Sequence, residues 1–196
     1  MKIGILNSGG YNINSIKFAL NRLNFDDVLI VKSKEEFEKC NKIIIPGVGH
    51  AKTAMDLLDK QGLIECIKNA TKPVLGICLG MQIMLKSSEE GNVYCLGIFD
   101  SKIIKLPKNV RTPQMGWNQL INGKYNAEFV YFANSYYAPI FKYTKSYVDY
   151  EGVKISAMIK KDNFVGCQFH PEKSGKVGEK ILSDFLYFPD KIKKYP

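Results

Sequence analysis

Pro73-Val-Leu-Gly-Ile-Cys78-Leu-Gly80-Met-Gln-Ile-Met84 sets one cysteine between two glycines inside an apolar run. Pro73 to Ile77 predicts a short buried strand and Leu79 to about Lys86 predicts a helix, so Cys78 falls on the turn that joins them. A strand-to-helix turn this sharp has no room for Cβ atoms beside the turning residue, which gives both glycines a steric purpose. The consequence is a sulfur presented at a helix N-terminus, where unpaired N–H groups and the helix dipole favour the reactive thiolate. The competing reading of the same run is a buried structural cysteine in an α/β core.

The rest of the chain supplies a frame for that turn. Lys2 to Leu6 reads as a first strand, Ser8-Gly-Gly10 as a turn, and Asn12 or Asn14 as the cap of an amphipathic helix running to Leu23. The glycine pair lacks the Gly-x-Gly-x-x-Gly spacing of a dinucleotide site. Val28–Val31 is a second strand, Ser33 caps a short acidic helix with Glu36 at the capping-box position, and Lys42–Ile45 is a third strand. It ends in Pro46-Gly-Val-Gly49, a loop able to present bare N–H groups as an oxyanion hole or anion nest. Helical stretches over Thr53–Leu58 and Leu63–Ala70 lead into the Pro73 strand. This β-α alternation predicts a mostly parallel, doubly wound α/β sheet flanked by helices, with ligands at the carboxyl ends of its strands.

Beyond the turn the pattern changes. Tyr94–Ile98, Lys102–Leu106, Trp117–Ile121, Glu128–Phe132, Tyr147–Tyr150 and Lys154–Ile159 read as short strands of an additional antiparallel section. Asn163 to His170 returns to a buried strand broken by Pro171, Val177 to about Tyr187 closes the chain with a helix, and the lysine-rich tail from Pro189 to Pro196 is expected to fray. With no linker or repeat, the 196 residues read as one domain over 1–196.

Composition excludes several classes. The five cysteines are odd in number and scattered without a Cys-x-x-Cys pair, which argues against a disulfide framework or a metal site. The net charge of +9 comes from lysines spread along the chain, without the basic helix or aromatic-basic stripe of a nucleic-acid binder; some of it can attract an acidic partner or anionic substrate. No apolar run reaches the roughly 18 residues of a membrane span, and Met1 leads directly into a strand without a signal peptide, so a cytoplasmic location is expected.

A cysteine nucleophile needs a base, usually histidine, held by a third group. The chain has two histidines, His50 and His170. His170 ends a strand, so in a parallel sheet it shares an edge with Cys78, and Glu172 can reach back to its ring. His50, after the glycine loop, is a lesser candidate by the same logic.

These residues match a known pattern. Pro73-Val-Leu-Gly-Ile-Cys-Leu-Gly-Met-Gln82 with Gln168-Phe-His-Pro-Glu172 resembles the class I (triad) glutamine amidotransferases. Pro46-Gly-Val-Gly49, Met115-Gly-Trp-Asn118, Tyr131-Phe-x-x-Ser-Tyr136 and His170-Pro-Glu-Lys-Ser174 narrow the resemblance to the glutaminase subunits of imidazole glycerol phosphate synthase, from Lys2 to about Leu186. The resemblance implies that Cys78 attacks the side-chain amide of glutamine to form a thioester. His170, oriented by Glu172, would shuttle protons, and N–H groups near Gly47, Val48, Gly49 and Leu79 would hold the oxyanion. By the same resemblance Gln82, Glu90, Ser135 and Tyr136 hold the substrate, with the Glu90 carboxylate suited to its ammonium group. No cofactor or metal is implied.

The resemblance also implies a heterodimer with a (β/α)8-barrel cyclase subunit that receives the ammonia, faced by Asn12, Trp117, Asn118, Tyr131 and Lys173. Glutaminase activity without that partner is expected to be low, because the family keeps the oxyanion strand misaligned until the partner is liganded. Three features depart from the family pattern: Gln114 and Asn134 stand where histidine is usual, and Tyr11 lies in an altered Asn7-Ser-Gly-Gly-Tyr-Asn12 start. They leave open a paralogue that feeds a related barrel for amidation of a surface sugar. Another amidotransferase, such as the pyridoxal phosphate glutaminase, lacks support from Met-Gly-Trp-Asn. A reading of a different class is a non-enzymatic α/β scaffold or redox sensor built on the same cysteine.

Overall fold

The computed structural model describes residues 1–9 and 12–189; Gly10, Tyr11 and the 190–196 tail fall outside them. The first half alternates as expected: β1 (Ile3–Leu6), α1 (Ile13–Arg22), β2 (Val28–Val31), α2 (Lys34–Glu38), β3 (Lys42–Ile45), α3 (Ala51–Lys60), α4 (Ile64–Lys68) and β4 (Val74–Ile77). Ser33 caps α2 by accepting from the Glu36 N–H at 3.3 Å. The Glu36 carboxylate reaches back to the Lys32 N–H at 2.6 Å, one residue beyond the position a capping box would give it.

After β4 come α5 (Leu79–Gln82), β5 (Leu85–Ser88), β6 (Val93–Tyr94), β7 (Phe99–Lys105), β8 (Gln114–Gln119), β9 (Phe129–Asn134) and β10 (Tyr136–Tyr137). The chain then adds β11 (Thr144–Tyr150), β12 (Val153–Lys161), β13 (Phe164–Cys167) and α6 (Gly175–Leu186). The main sheet runs β11-β12-β13-β4-β3-β1-β2. Pairing is parallel from β2 through β1, β3 and β4 to β13, then antiparallel through β12 to β11. Part of the expected antiparallel section therefore extends the main sheet. The remainder joins β5 in a four-stranded sheet, β10-β7-β5-β6, and forms the antiparallel β8-β9 ribbon; the four-stranded sheet is mixed and not antiparallel as expected, since β5 and β7 pair in parallel.

Two expectations are corrected here. The helix after Cys78 is a single turn that stops at Gln82, and Leu85–Ser88 is a strand. Ile83, Met84 and Leu85 are all fully buried, a pattern no one-sided helix provides. Their carbonyls instead accept from the N–H groups of Leu96, Ile98 and Gly97 at 2.9 Å each. The expected strand Tyr94–Ile98 correspondingly contracts to Val93–Tyr94, because residues 95–98 spend their N–H groups on that segment.

The strands of the parallel centre are apolar on both faces, as a sheet covered twice requires. Ile3, Ile5, Ile44, Leu75 and Ile77 face α1 and α6, packing with Ile16, Leu20, Ile181 and Phe185. Leu6, Ile43, Ile45 and Val74 face α3 and the second sheet, with Met55, Leu58 and Phe99. Burying each such side chain contributes about 1.5–3 kcal/mol. This two-sided core holds the carboxyl ends of β3, β4 and β13 side by side. Among the described residues, no helix is long and apolar enough to cross a membrane.

Candidate active site

Cys78 sits at the carboxyl end of β4 with φ 51° and ψ −107°, a backbone conformation that a non-glycine residue adopts only when its surroundings enforce it. The enforcement is visible. A Cβ on Gly76 would lie 2.6 Å from the Gly80 carbonyl oxygen, and one on Gly80 would lie 2.0 Å from that of Ile45. The Cys78 N–H bonds the Cys167 carbonyl at 2.7 Å, pinning the turn to the end of β13. Gly47 is held equally close, since its Cβ would meet the Ile77 carbonyl at 1.7 Å. The glycine loop after β3 is thus stacked directly on the cysteine turn.

His170 follows β13, and its N–H bonds the Tyr131 carbonyl at 2.9 Å. Its Nδ1 meets Glu172 Oε1 at 2.8 Å, and both side chains are almost entirely removed from water. Pro171–Lys173 forms one tight 3-10 turn, which folds Glu172 back onto the ring. Ser174 locks that turn by donating to the His170 carbonyl at 2.6 Å while accepting from the Tyr131 N–H at 3.0 Å. Burial works against a charge on His170, but hydrogen bonds to Cys78 and Glu172 and their negative charges outweigh it and raise its pKa to about 10. With Nδ1 occupied by Glu172, Nε2 is the nitrogen available to the sulfur. A cysteine sulfur facing an imidazole that is backed by a carboxylate is an arrangement able to carry out acyl transfer.

A cavity of about 300 Å³ opens over this pair. Gly47, Val48, Gly49 and Leu79 line it on the side of the glycine loop and the turn. Gln82, Glu90, Ser135 and Tyr136 line it as well, so all the expected oxyanion and substrate residues share one chamber with Cys78 and His170. Glu90 keeps one oxygen on the first turn of α3, accepting from the Ala51 N–H at 2.8 Å. Gln82 donates to the Tyr136 carbonyl at 2.9 Å and to Gln168 Oε1 at 3.0 Å. His50, the lesser base candidate, is exposed at the start of α3, lies against Gly91 and does not line the chamber.

The residues expected to face a partner divide. Trp117 is 54% exposed on β8 and packs edge-to-face on Tyr131 with ring centroids 6.0 Å apart. Met115 and Phe129 are exposed on the same ribbon, Asn118 is half-buried beside it, and Lys173 is exposed at the chamber mouth. Asn12 differs: it is only 7% exposed and its amide donates to Glu172 Oε1. It occupies the cap position of α1 yet makes no capping bond, its side chain being engaged by Glu172. Glu172 Oε2 is buried with no partner among the described residues.

Two of the departing positions, Gln114 and Asn134, are cross-strand partners in the β8-β9 ribbon. Gln114 donates to Asn118 at 2.9 Å, Asn134 to the Tyr136 carbonyl at 3.2 Å, and Asn134 lines the chamber. The third, Tyr11, lies outside the described residues. Sequence reasoning missed Asn134 as a lining residue, Asn12 as a partner of Glu172, and Gln168. Gln168 is fully buried and donates from Nε2 to the Cys78 sulfur at 3.6 Å. The available signal was its place two residues before His170 in the strand expected over Asn163 to His170.

Comparison with known proteins agrees with this geometry. Residues 6–188 match the family "Glutamine amidotransferase class-I". The chain is 44% identical to the imidazole glycerol phosphate synthase subunit HisH of Bacteroides fragilis, over 95% of this chain and 99% of that protein. It is 43% identical to the HisH of Buchnera aphidicola at the same coverage, and 41% to that of Haemophilus influenzae over 95% and 97%. Among solved structures, a glutamine amidotransferase superposes with a TM-score of 0.77 over 95% of this chain and 97% of that one. A putative GMP synthase subunit from Thermoplasma acidophilum superposes with 0.72 over 95% and 92%. Both are 17% identical and speak for the fold alone. The chain belongs to the class-I glutamine amidotransferase family, in the branch represented by the HisH subunits of imidazole glycerol phosphate synthase.

Proposed function

We propose that this chain is the glutaminase subunit of an imidazole glycerol phosphate synthase, with Cys78 as nucleophile, His170 as acid and base, and Glu172 as orienter. The observation that carries the reading is the buried Cys78–His170–Glu172 line at the floor of one chamber. The sulfur attacks the side-chain carbonyl carbon of glutamine, forming a C–S bond and a tetrahedral oxyanion facing the Gly47–Gly49 loop and the Leu79 N–H. His170 gives its proton to the amide nitrogen, the C–N bond breaks, and ammonia leaves. Water then attacks the thioester and loses a proton to His170; the C–S bond breaks, giving glutamate and the free sulfur.

Glu90 suits the substrate ammonium group with the oxygen not spent on α3. The ammonia passes to a cyclase subunit, and we take that partner to be a (β/α)8 barrel seated on the exposed Met115–Trp117–Phe129 face of the β8-β9 ribbon. Work in the cytoplasm fits a helper of a small-molecule synthase. Resemblance to HisH proteins at 41–44% identity favours histidine synthesis over sugar amidation as the fate of the ammonia.

Glutamate production from glutamine tests the reading. The chain with its cyclase partner is expected to hydrolyse glutamine much faster than the chain alone, and Cys78→Ala is expected to lower that rate by at least about 10³-fold. Full activity in Cys78→Ala overturns the assignment.

A further inference from the structure

We propose that Gln168 is a further catalytic residue, whose side-chain N–H carries part of the negative charge on the Cys78 sulfur and so speeds collapse of the thioester. The inference rests on the glutaminase reading above.

Register explains the placement. β13 pairs with β4 in parallel with Cys167 opposite Ile77, so the next residue, Gln168, falls opposite Cys78. His170 lies two residues further along, past the end of β13, and its ring also meets the Cys78 sulfur. The sulfur is met by His170, which moves protons, and by Gln168, which has none to give up at working pH, while the Ala133 carbonyl stands further off at 4.0 Å. Gln168 Nε2 lies 3.6 Å from the sulfur, within the reach of an N–H···S bond.

The amide is also fixed in that orientation. Gln168 is fully buried, its own N–H is bound to the Ala157 carbonyl at 2.9 Å, and its Oε1 accepts from Gln82 at 3.0 Å. Gln82 is in turn tied to the Tyr136 carbonyl at 2.9 Å. Because Gln82 supplies a donor to Oε1, the Gln168 oxygen is committed away from the sulfur and its amino group must face it. A buried amide that served packing alone would be satisfied by Gln82 without aiming a donor at the nucleophile.

A hydrogen bond to a charged atom is worth more than one to a neutral atom. The sulfur is neutral in the thioester and negative once the C–S bond breaks, so the bond from Gln168 strengthens during deacylation. It favours departure of the thiolate in the second half of the reaction. No proton moves to or from Gln168.

Gln168→Met keeps similar length and removes the donor. In the complex with the cyclase partner, kcat for glutamine is expected to fall about 10- to 100-fold, the scale of one charge-assisted hydrogen bond. KM should fall with it, and intact-mass spectra of the quenched reaction should show a glutamyl thioester on the variant. Turnover within twofold of wild type with no thioester overturns the proposal.

A second reading uses the wild-type chain and needs no variant. Alkylating Cys78 with iodoacetamide should shift one of the two Gln168 side-chain amide proton resonances upfield, as its bond to the sulfur weakens; two unmoved resonances would overturn the proposal. An inactive wild-type complex would count against the glutaminase reading instead, and the resonances would still decide whether Gln168 donates to the sulfur.

Discussion

His170 carries a proton that most histidines lose near neutrality, and two consequences can be measured. Its pKa, raised to about 10, depends on Glu172 as well as Cys78. Replacing Glu172 with Gln removes a negative charge from the ring, so the His170 pKa should drop by at least about one unit, read from its imidazole ¹⁵N shifts across a titration. An unchanged titration would show that Glu172 does not act on the ring. The second consequence concerns stability. An unfolded imidazole titrates at about pH 6.5. A raised folded pKa therefore favours the native state in full below about pH 6.5, and that contribution fades as pH climbs toward 10. Denaturant midpoints should decline over this window in wild type and less steeply in Glu172→Gln.

The grouping of Cys78, His170 and Glu172 was legible in the sequence because histidine is scarce: with two candidates, position at a strand end selected His170. Asn12 was not legible. A residue at a helix cap ordinarily bonds the first turn, and nothing local reveals that Glu172, 160 residues away, takes its amide instead. Gln168 was hidden for a related reason: its spacing from His170 hints at a shared side of the strand, but its contact with Cys78 depends on the β13–β4 register.

At the scale of elements, the cysteine turn depends on backbone passing close to backbone. Gly80 shows this best, because a methyl group there would sit 2.0 Å from the Ile45 carbonyl oxygen, which no side-chain rotation can relieve. Gly80→Ala should destabilise the chain by about 3 kcal/mol in urea denaturation, and should displace the glycine loop after β3. A loss under about 0.5 kcal/mol would mean the turn and β3 are not so closely stacked. The strands of the parallel centre were readable as apolar runs because both faces are covered. The one-turn α5 and strand β5 were not, since Ile83–Leu85 is apolar in a way that suits a helix or a strand, and only pairing with distant segments decides between them.

For the whole molecule, the arrangement sets the chamber beside an exposed apolar ribbon. Ala133 lines the chamber while Met115, its cross-strand neighbour in β8, is 65% exposed, so a partner docked on the ribbon would lie close to the chamber. Trp117 is the sole tryptophan and is 54% exposed. Its fluorescence should shift to the blue when the cyclase partner binds, and Trp117→Ala should weaken that complex by at least about 30-fold, as for a central aromatic anchor. An unmoved emission spectrum with a formed complex would place the interface elsewhere.

The central claim is that Cys78 is the nucleophile acting on glutamine, and a glutamine-mimicking diazoketone tests it most directly. In the presence of the cyclase partner, 6-diazo-5-oxo-norleucine should lose dinitrogen and leave a single adduct, mapped by peptide mass spectrometry to Cys78, with glutamine slowing its formation. An adduct on Cys40, Cys66, Cys95 or Cys167 alone, or none on Cys78, would contradict the account.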